Sequence, residues 1–263
     1  MPAAGVLRGV GPLRQDDPVP IDTADSWDRY AAAYQEAARW PATVVHYGPD
    51  LPTEDDLRLL GDLKAKRVLD LGCGGGQNAV VMARAGATVI GVDLSVEQLA
   101  HARELAAERE VRVELRQGDL ADLAYLRADS IDLAFAADAF GYVEDLGRVF
   151  RQVHRVLKVG APLVFSLPHP SWYLVGGGTA DPLTVRRSYF DRSAVVRSVG
   201  DAQLTEYPHH LAELLTGLVR ASYRVDQVVE PEPPVGVPRS GLWDEAATRV
   251  PRMLIVRARK EGS

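Results

Sequence analysis

Residues 67–76 read Arg67-Val68-Leu69-Asp70-Leu71-Gly72-Cys73-Gly74-Gly75-Gly76. The apolar run over 68–71 predicts a short buried strand, and the glycines that follow at once predict a tight loop. A helix is expected next, from Gln77 to about Ala85, with Gly86 as its stop. Strand, glycine loop and helix N-terminus make a nucleotide-type site. The backbone can approach a ligand closely there, and the free N–H groups of the first helical turn accept a carboxylate or phosphate. Alone this is a weak signal, because dinucleotide oxidoreductases use the same device.

Three details narrow it. Asp70 lies inside the strand, two residues before the loop, where a carboxylate would repel a pyrophosphate but suits a ligand carrying an ammonium and a sulfonium. The glycines at 72, 74 and 76 are spaced GxGxG, not GxGxxG. Asp119, in Gly118-Asp119-Leu120, can accept a hydrogen bond from an exocyclic amine. Asp93, ending a second strand Thr88-Val89-Ile90-Gly91-Val92, offers two oxygens to the vicinal hydroxyls of a ribose.

Outward from this stretch the pattern alternates. Ser95, with Gln98 three residues on, is a capping box that opens a helix to about Glu108. Strands are expected at 112–116, 131–136 and 163–167. Between the last two, Val143, Leu146, Val149, Phe150, Val153, Val156 and Leu157 recur at helical spacing. Such alternation implies right-handed crossovers and a parallel sheet covered on both faces. After Pro168 the rhythm breaks. Residues 168–207, with Pro168, Pro170, glycines 176–178 and Pro182, read as an irregular insertion. A helix near 209–220 and strands near 225–229 and 253–257 close the chain. One domain over 21–263 is expected, preceded by a flexible tail over 1–20.

Composition sets outer bounds. Of the 263 residues, 46% are hydrophobic and 25% charged, an ordinary globular mixture. The formal net charge of −6 argues against nucleic acid as main partner. Cys73 is the only cysteine, which removes disulfides and thiolate zinc sites, predicts no metal, and fits a reducing cytoplasm. No apolar run is long enough to span a bilayer, so no membrane partner is expected. A homodimer is compatible with the sequence.

The ordered set Val68–Gly76, Gly91-Val92-Asp93-Leu94-Ser95, Gln117-Gly118-Asp119-Leu120, Ile131–Phe135 and Val153–Gly160 resembles the successive motifs of class I S-adenosylmethionine-dependent methyltransferases. The resemblance covers roughly residues 27–167. It implies a Rossmann-like doubly wound α/β fold of seven strands, mostly parallel with the last antiparallel. It also implies an N-terminal lid over 21–60, a cofactor-binding core over 66–167 and a substrate-cap insertion over 168–210. Asp70 and Gly72 would meet the methionine end, Asp93 the ribose, and Asp119 with Leu120 the adenine edge, with Gly74 and Leu94 as further cofactor-binding positions. Ala136 would approach the amino-acid part. Tyr30 and Tyr34 resemble the lid helix of small-molecule members, although an i, i+4 aromatic pair is also ordinary helix packing.

The expected activity is methyl transfer from S-adenosylmethionine to an O, N or C centre of a small molecule, leaving S-adenosylhomocysteine. A hydroxyl acceptor gains from a general base. His169, His209 and His210 are the candidates, with His46 further upstream. Many relatives carry histidine after strand four, whereas this chain has Phe140-Gly141-Tyr142, so Tyr142 is a candidate to face substrate and Asp138 a weaker one. Arg186, Arg187, Arg192 and Arg197 suit either selection of an acidic substrate or a solvated loop face. Trp172 and Tyr173 suit a substrate wall or packing of the insertion. A cofactor-binding protein without turnover, or an NAD(P)-dependent oxidoreductase, are the alternative readings.

Overall fold

The run at 67–71 forms the central strand β1 (Arg67–Leu71), buried from Val68 onward. A parallel strand covered by helices on both faces has no solvent side, hence the unbroken apolar reading. Residues 23–175 and 184–262 are described in the computed structural model. The tail expected over 1–20, and glycines 176–178 with Pro182, lie outside the described residues.

The other strands are β2 (Thr88–Asp93), β3 (Val113–Gln117), β4 (Leu133–Ala136), β5 (Pro162–Pro168), β6 (Val195–Val199), β7 (Ala202–Glu206), β8 (Tyr223–Val229) and β9 (Met253–Lys260). The helices are α1 (Thr23–Ala38), α2 (Glu54–Leu57), α3 (Gln77–Arg84), α4 (Val96–Glu108), α5 (Leu146–Val156), α6 (Trp172–Val175) and α7 (Leu211–Arg220). The seven-stranded sheet runs β3-β2-β1-β4-β5-β9-β8. β9 is antiparallel to both β5 and β8, and the remaining pairs are parallel. From β1 the chain first winds to one side through β2 and later to the other through β4. A crevice therefore opens outside the carboxyl ends of β1 and β4.

Two apolar layers hold the sheet. On one face α5 buries Leu146, Val149, Phe150, Val153 and Val156, and α7 adds Leu214 and Leu218 against Leu69, Phe165 and Val256. On the other, Met82, Tyr47 and Leu59 cover Val68, Val89, Phe135, Val164 and Ile255. Across the crevice, α1 is clamped between α4 and β7. Asp28 Oδ1 accepts from Ser95 Oγ (2.5 Å) and Glu97 N (3.2 Å), while Tyr30 packs on Ala202 and Leu204.

Some local expectations shift. Ile131 joins Leu157 only by an isolated bridge, so β4 starts at Leu133. α5 starts at Leu146 because the Asp145 side chain accepts the Arg148 N–H and caps it there. Ser95 caps α4 as expected, its side chain accepting from Gln98 N at 3.0 Å. The reciprocal half of the capping box is missing. Ser95 N–H donates instead to Asp93 Oδ1, and Gln98 Oε1 accepts from Gln35 Nε2 of α1. The insertion is not wholly irregular, since β6 and β7 form an antiparallel hairpin joined at Gly200-Asp201. Gly-Asp between two short half-buried strands is a turn signal outweighed in the sequence by the prolines and glycines before it.

Gly76 ends the loop at φ 79, and a Cβ there would stand 2.7 Å from Ala102 Cβ on α4. Gly76→Ala combines a left-handed backbone penalty with steric overlap, so urea unfolding is expected to show a loss of about 2–5 kcal/mol. An unchanged midpoint would mean that α4 moves aside freely.

Candidate active site

The crevice is a cavity of about 380 Å³, within the range of small-molecule sites. Its floor is the loop after β1, and its sides are the ends of β2 and β4. Its roof is Trp27, Tyr34 and Trp40 at and beyond α1, with Tyr142 and Tyr207 at the far wall. Trp27 lies edge-on to Tyr34 and Tyr142, with ring centroids at 5.4 and 4.9 Å.

Of the residues expected from sequence, Tyr34, Asp70, Gly72, Gly74, Asp93, Leu94, Asp119, Leu120 and Tyr142 all line this one cavity. Two others do not. Tyr30 turns to the β7 side, packing on the hairpin, and Ala136 is fully buried, leaving Ala137, Asp138 and Ala139 to form the wall. Gly72 must lack a side chain, because a Cβ there would overlap that of Ala139.

Two carboxyls dominate the floor. Asp93 Oδ2 accepts from Gly74 N at 2.8 Å and Oδ1 from Ser95 N at 2.9 Å, tying the loop to the end of β2. Burial pushes the Asp93 carboxyl up, and those N–H groups partly offset the push. Asp70 is 1% exposed, and its Oδ2 is buried with no hydrogen-bond partner. Burial, then the charge of Asp93, pushes it up to about 8. Trp40 Nε1 is a second buried polar atom without a partner on the cavity wall. Asp119 Oδ1 accepts from Ala121 N at 2.8 Å, whereas Asp122 does not reach the cavity. The Cys73 thiol is pushed well up by burial, which keeps it protonated and a weak nucleophile.

The three candidate histidines lie outside the cavity wall. His169 receives Ser171 N–H at Nδ1 (3.1 Å), so its Nε2 carries the proton donated to Glu230 Oε1 (2.8 Å). His209 Nε2 donates to Val143 O at 2.8 Å, and His210 stacks on Tyr189 at 4.8 Å. His46 stacks on Trp40 behind the wall. The insertion arginines are absent from the wall too. Arg187 bonds Ser193, Arg192 pairs with Glu213 at 2.6 Å and Arg197 with Glu206 at 2.7 Å, while Arg186 is exposed. Trp172 packs on Val175, Ala246 and Ala247, and Tyr173 is buried beside it, so the insertion uses both for packing.

Sequence reasoning missed Gln35, Trp40 and Tyr207 on the wall. Gln35 Oε1 accepts from Gln77 Nε2, and its Nε2 donates to Gln98 Oε1 at 2.8 Å, joining α1 to both helices that flank the loop. No local pattern marks such residues, because they meet the site only through the packing of α1.

Residues 69–165 match the methyltransferase domain family. The chain is 34% identical over 151 residues to the ubiquinone biosynthesis O-methyltransferase of Bordetella avium, covering 56% of this chain and 61% of that protein. The S-adenosylmethionine-dependent methyltransferase from Mesorhizobium loti superposes with a TM-score of 0.63 at 29% identity, over 78% of this chain and 95% of that one. A Listeria monocytogenes protein assigned to the same class gives a TM-score of 0.66 at 26% identity, over 78% and 95%. Residues 69–165 are a methyltransferase domain, and the fold around them is that of S-adenosylmethionine-dependent methyltransferases. The match spans 44% and 61% of the lengths of two curated O-methyltransferase relatives, those from Hahella chejuensis and Bordetella avium. Within the family frame, the motif residues after β1, β2 and β3 converge here on one crevice.

A carboxyl whose folded-state pKa is raised keeps a proton that the unfolded chain releases. Its contribution is therefore fullest below the ordinary carboxylate range and declines as pH rises towards about 8 for Asp70. Asp70→Asn removes this decline. Its melting temperature without ligand is expected to exceed that of the wild type by more at pH 8 than at pH 5. A margin that shrinks with rising pH would show that Asp70 is ionised and satisfied in the empty site.

Proposed function

We propose that this protein binds S-adenosylmethionine in the crevice and transfers its methyl group to a small molecule by in-line displacement. The observation that carries this reading is Asp70: a buried carboxyl oxygen without a partner, at the end of the central strand, beside a glycine loop. Such a group suits a cationic ligand and would oppose a pyrophosphate. When bound, S-adenosylmethionine supplies a methyl group activated by its positive sulfur. Asp70, Gly72 and Gly74 would hold the methionine end. Asp93 would accept from both ribose hydroxyls while keeping its two backbone contacts, since a carboxylate has about four acceptor sites. Asp119, Leu94 and Leu120 would border the adenine. Tyr34 and Trp40 would close over the site and exclude water.

Positioning alone supplies much of the rate in such a displacement, so few reacting groups are required. The names of the curated relatives support an oxygen acceptor. The acidic balance of the sequence supports a small molecule over nucleic acid, and the single cysteine supports a cytoplasmic setting. Among the described residues no helix is long and apolar enough to cross a membrane.

Titration calorimetry with S-adenosylhomocysteine tests the reading. Asp93→Ala loses two charge-assisted ribose bonds, so affinity is expected to fall by about 2–4 kcal/mol, roughly 30- to 1,000-fold. Tight NAD(P) binding with no S-adenosylhomocysteine binding would favour an oxidoreductase. Tight binding with no transfer of labelled methyl to any small-molecule pool would favour a silent cofactor-binding protein.

A further inference from the structure

One carboxyl on the cavity wall is not accounted for by the cofactor. Asp138, two residues past β4, adopts φ 55 and donates its N–H to Ser166 Oγ at 3.0 Å. The Ser166 hydroxyl donates in turn to the Tyr47 carbonyl, so the turn is anchored to β5 and through it to Tyr47. Asp138 lines the cavity, yet among the described residues no N–H or O–H donates to its carboxyl. Burial is the largest influence and pushes it up to about 7; Arg252 and Arg197 oppose this, and Glu206 adds to it. Both cations are engaged elsewhere, Arg197 with Glu206 at 2.7 Å and Arg252 with Leu242 O at 2.6 Å. Tyr34 on α1 and Tyr142 after β4 also feel the Asp138 charge. Asp138 thus belongs to the side of the crevice built by the hairpin and α1, whereas Asp70 answers to Asp93.

A left-handed turn does not require this side chain, since Asn and Gly serve as well there. A half-buried carboxyl that faces the cavity with no protein donor is open to a ligand's proton, and such groups cluster at reacting sites. We propose that Asp138 is the catalytic residue that takes the proton of the methyl acceptor, an inference that rests on the methyl-transfer reading above. The acceptor's lone pair forms the new bond to carbon, and the carbon–sulfur bond breaks with its electron pair left on sulfur. The proton leaves the acceptor atom for a carboxyl oxygen of Asp138 and passes to solvent after product release. The acceptor is therefore a hydroxyl or N–H compound. An anionic body is disfavoured, because Asp70, Asp93, Asp119 and Asp138 face the same space and, among the described residues, Arg148 is the one cation on the wall.

Asp138→Asn keeps the shape and the left-handed backbone while removing the base. The probes are S-adenosylhomocysteine for calorimetry and methyl-tritiated S-adenosylmethionine with the small-molecule fraction of a cell extract for transfer. The variant is expected to bind S-adenosylhomocysteine within about twofold of wild type and to label the extract roughly 10²- to 10⁴-fold more slowly. Wild-type labelling should rise through pH about 7 and level off, and the variant should lose that limb. Carbon NMR of carboxyl-labelled aspartate should show a resonance titrating near neutrality that Asp138→Asn abolishes. Wild-type labelling rates in the variant, or an Asp138 titration in the ordinary carboxylate range, would overturn the assignment and leave methyl transfer standing. Failure of wild type to bind S-adenosylhomocysteine would instead overturn the underlying reading. Binding without any labelling would overturn both.

Discussion

Asp70 stands at the carboxyl end of the central strand, walled off from water, with one oxygen that nothing in the protein satisfies. A group of this kind costs stability in the empty molecule, and the surrounding architecture keeps it in place. β1 is hydrogen-bonded on both sides, to β2 and β4, so its end cannot retreat from the crevice. The loop that follows is tied to β2 through the Asp93 carboxylate and packed against α4 at Gly76. The site is rigid where it must hold a charge in low dielectric, and its unsatisfied oxygen is what a cationic ligand would complete.

The roof depends on a different kind of contact. α1 has few buried residues of its own, namely Ser26, Tyr30, Ala31 and Ala38. Polar ties at Asp28 and Gln35 and the aromatic group Trp27, Tyr34 and Tyr142 hold it over the crevice. Such a seam gains less from apolar burial than the sheet layers do. The same seam brings the β6-β7 hairpin against α1 and sets Glu206 and Arg197 behind Asp138. Floor and roof are therefore built differently: a loop fixed by carboxylate ties below, and a polar and aromatic seam above.

The histidines show how proximity in sequence to a strand end can mislead. His169 follows β5 directly, on the edge where ligands gather, yet Glu230 beyond β8 holds its ring on the far side of β5 from β1. His209 and His210 enter α7 and are taken up by Val143 and Tyr189. Asp138, by contrast, carries no sequence pattern beyond its place after β4. It stands out only once its neighbours fail to supply a donor.

The alternating elements, the position of Asp70 and the spacing of glycines 72, 74 and 76 were legible in the chain itself. Each depends on contacts between near neighbours in sequence: a strand with no solvent face, a turn without side chains, a helix start. The seven-stranded sheet with its last strand antiparallel followed only from the family resemblance. The cap did not. The hairpin inside 168–210, the Gln35 bridge from α1 to the loop helices and the isolation of the histidines depend on segments far apart in sequence meeting in space. Tyr30 and Tyr34 make the division plain. Their i, i+4 spacing placed both on one helix face, and only the packing of α1 between α4 and β7 sent one to the hairpin and the other to the cavity. The glycine loop and its carboxylate thus marked the crevice from sequence, while the wall opposite them was decided by tertiary contacts.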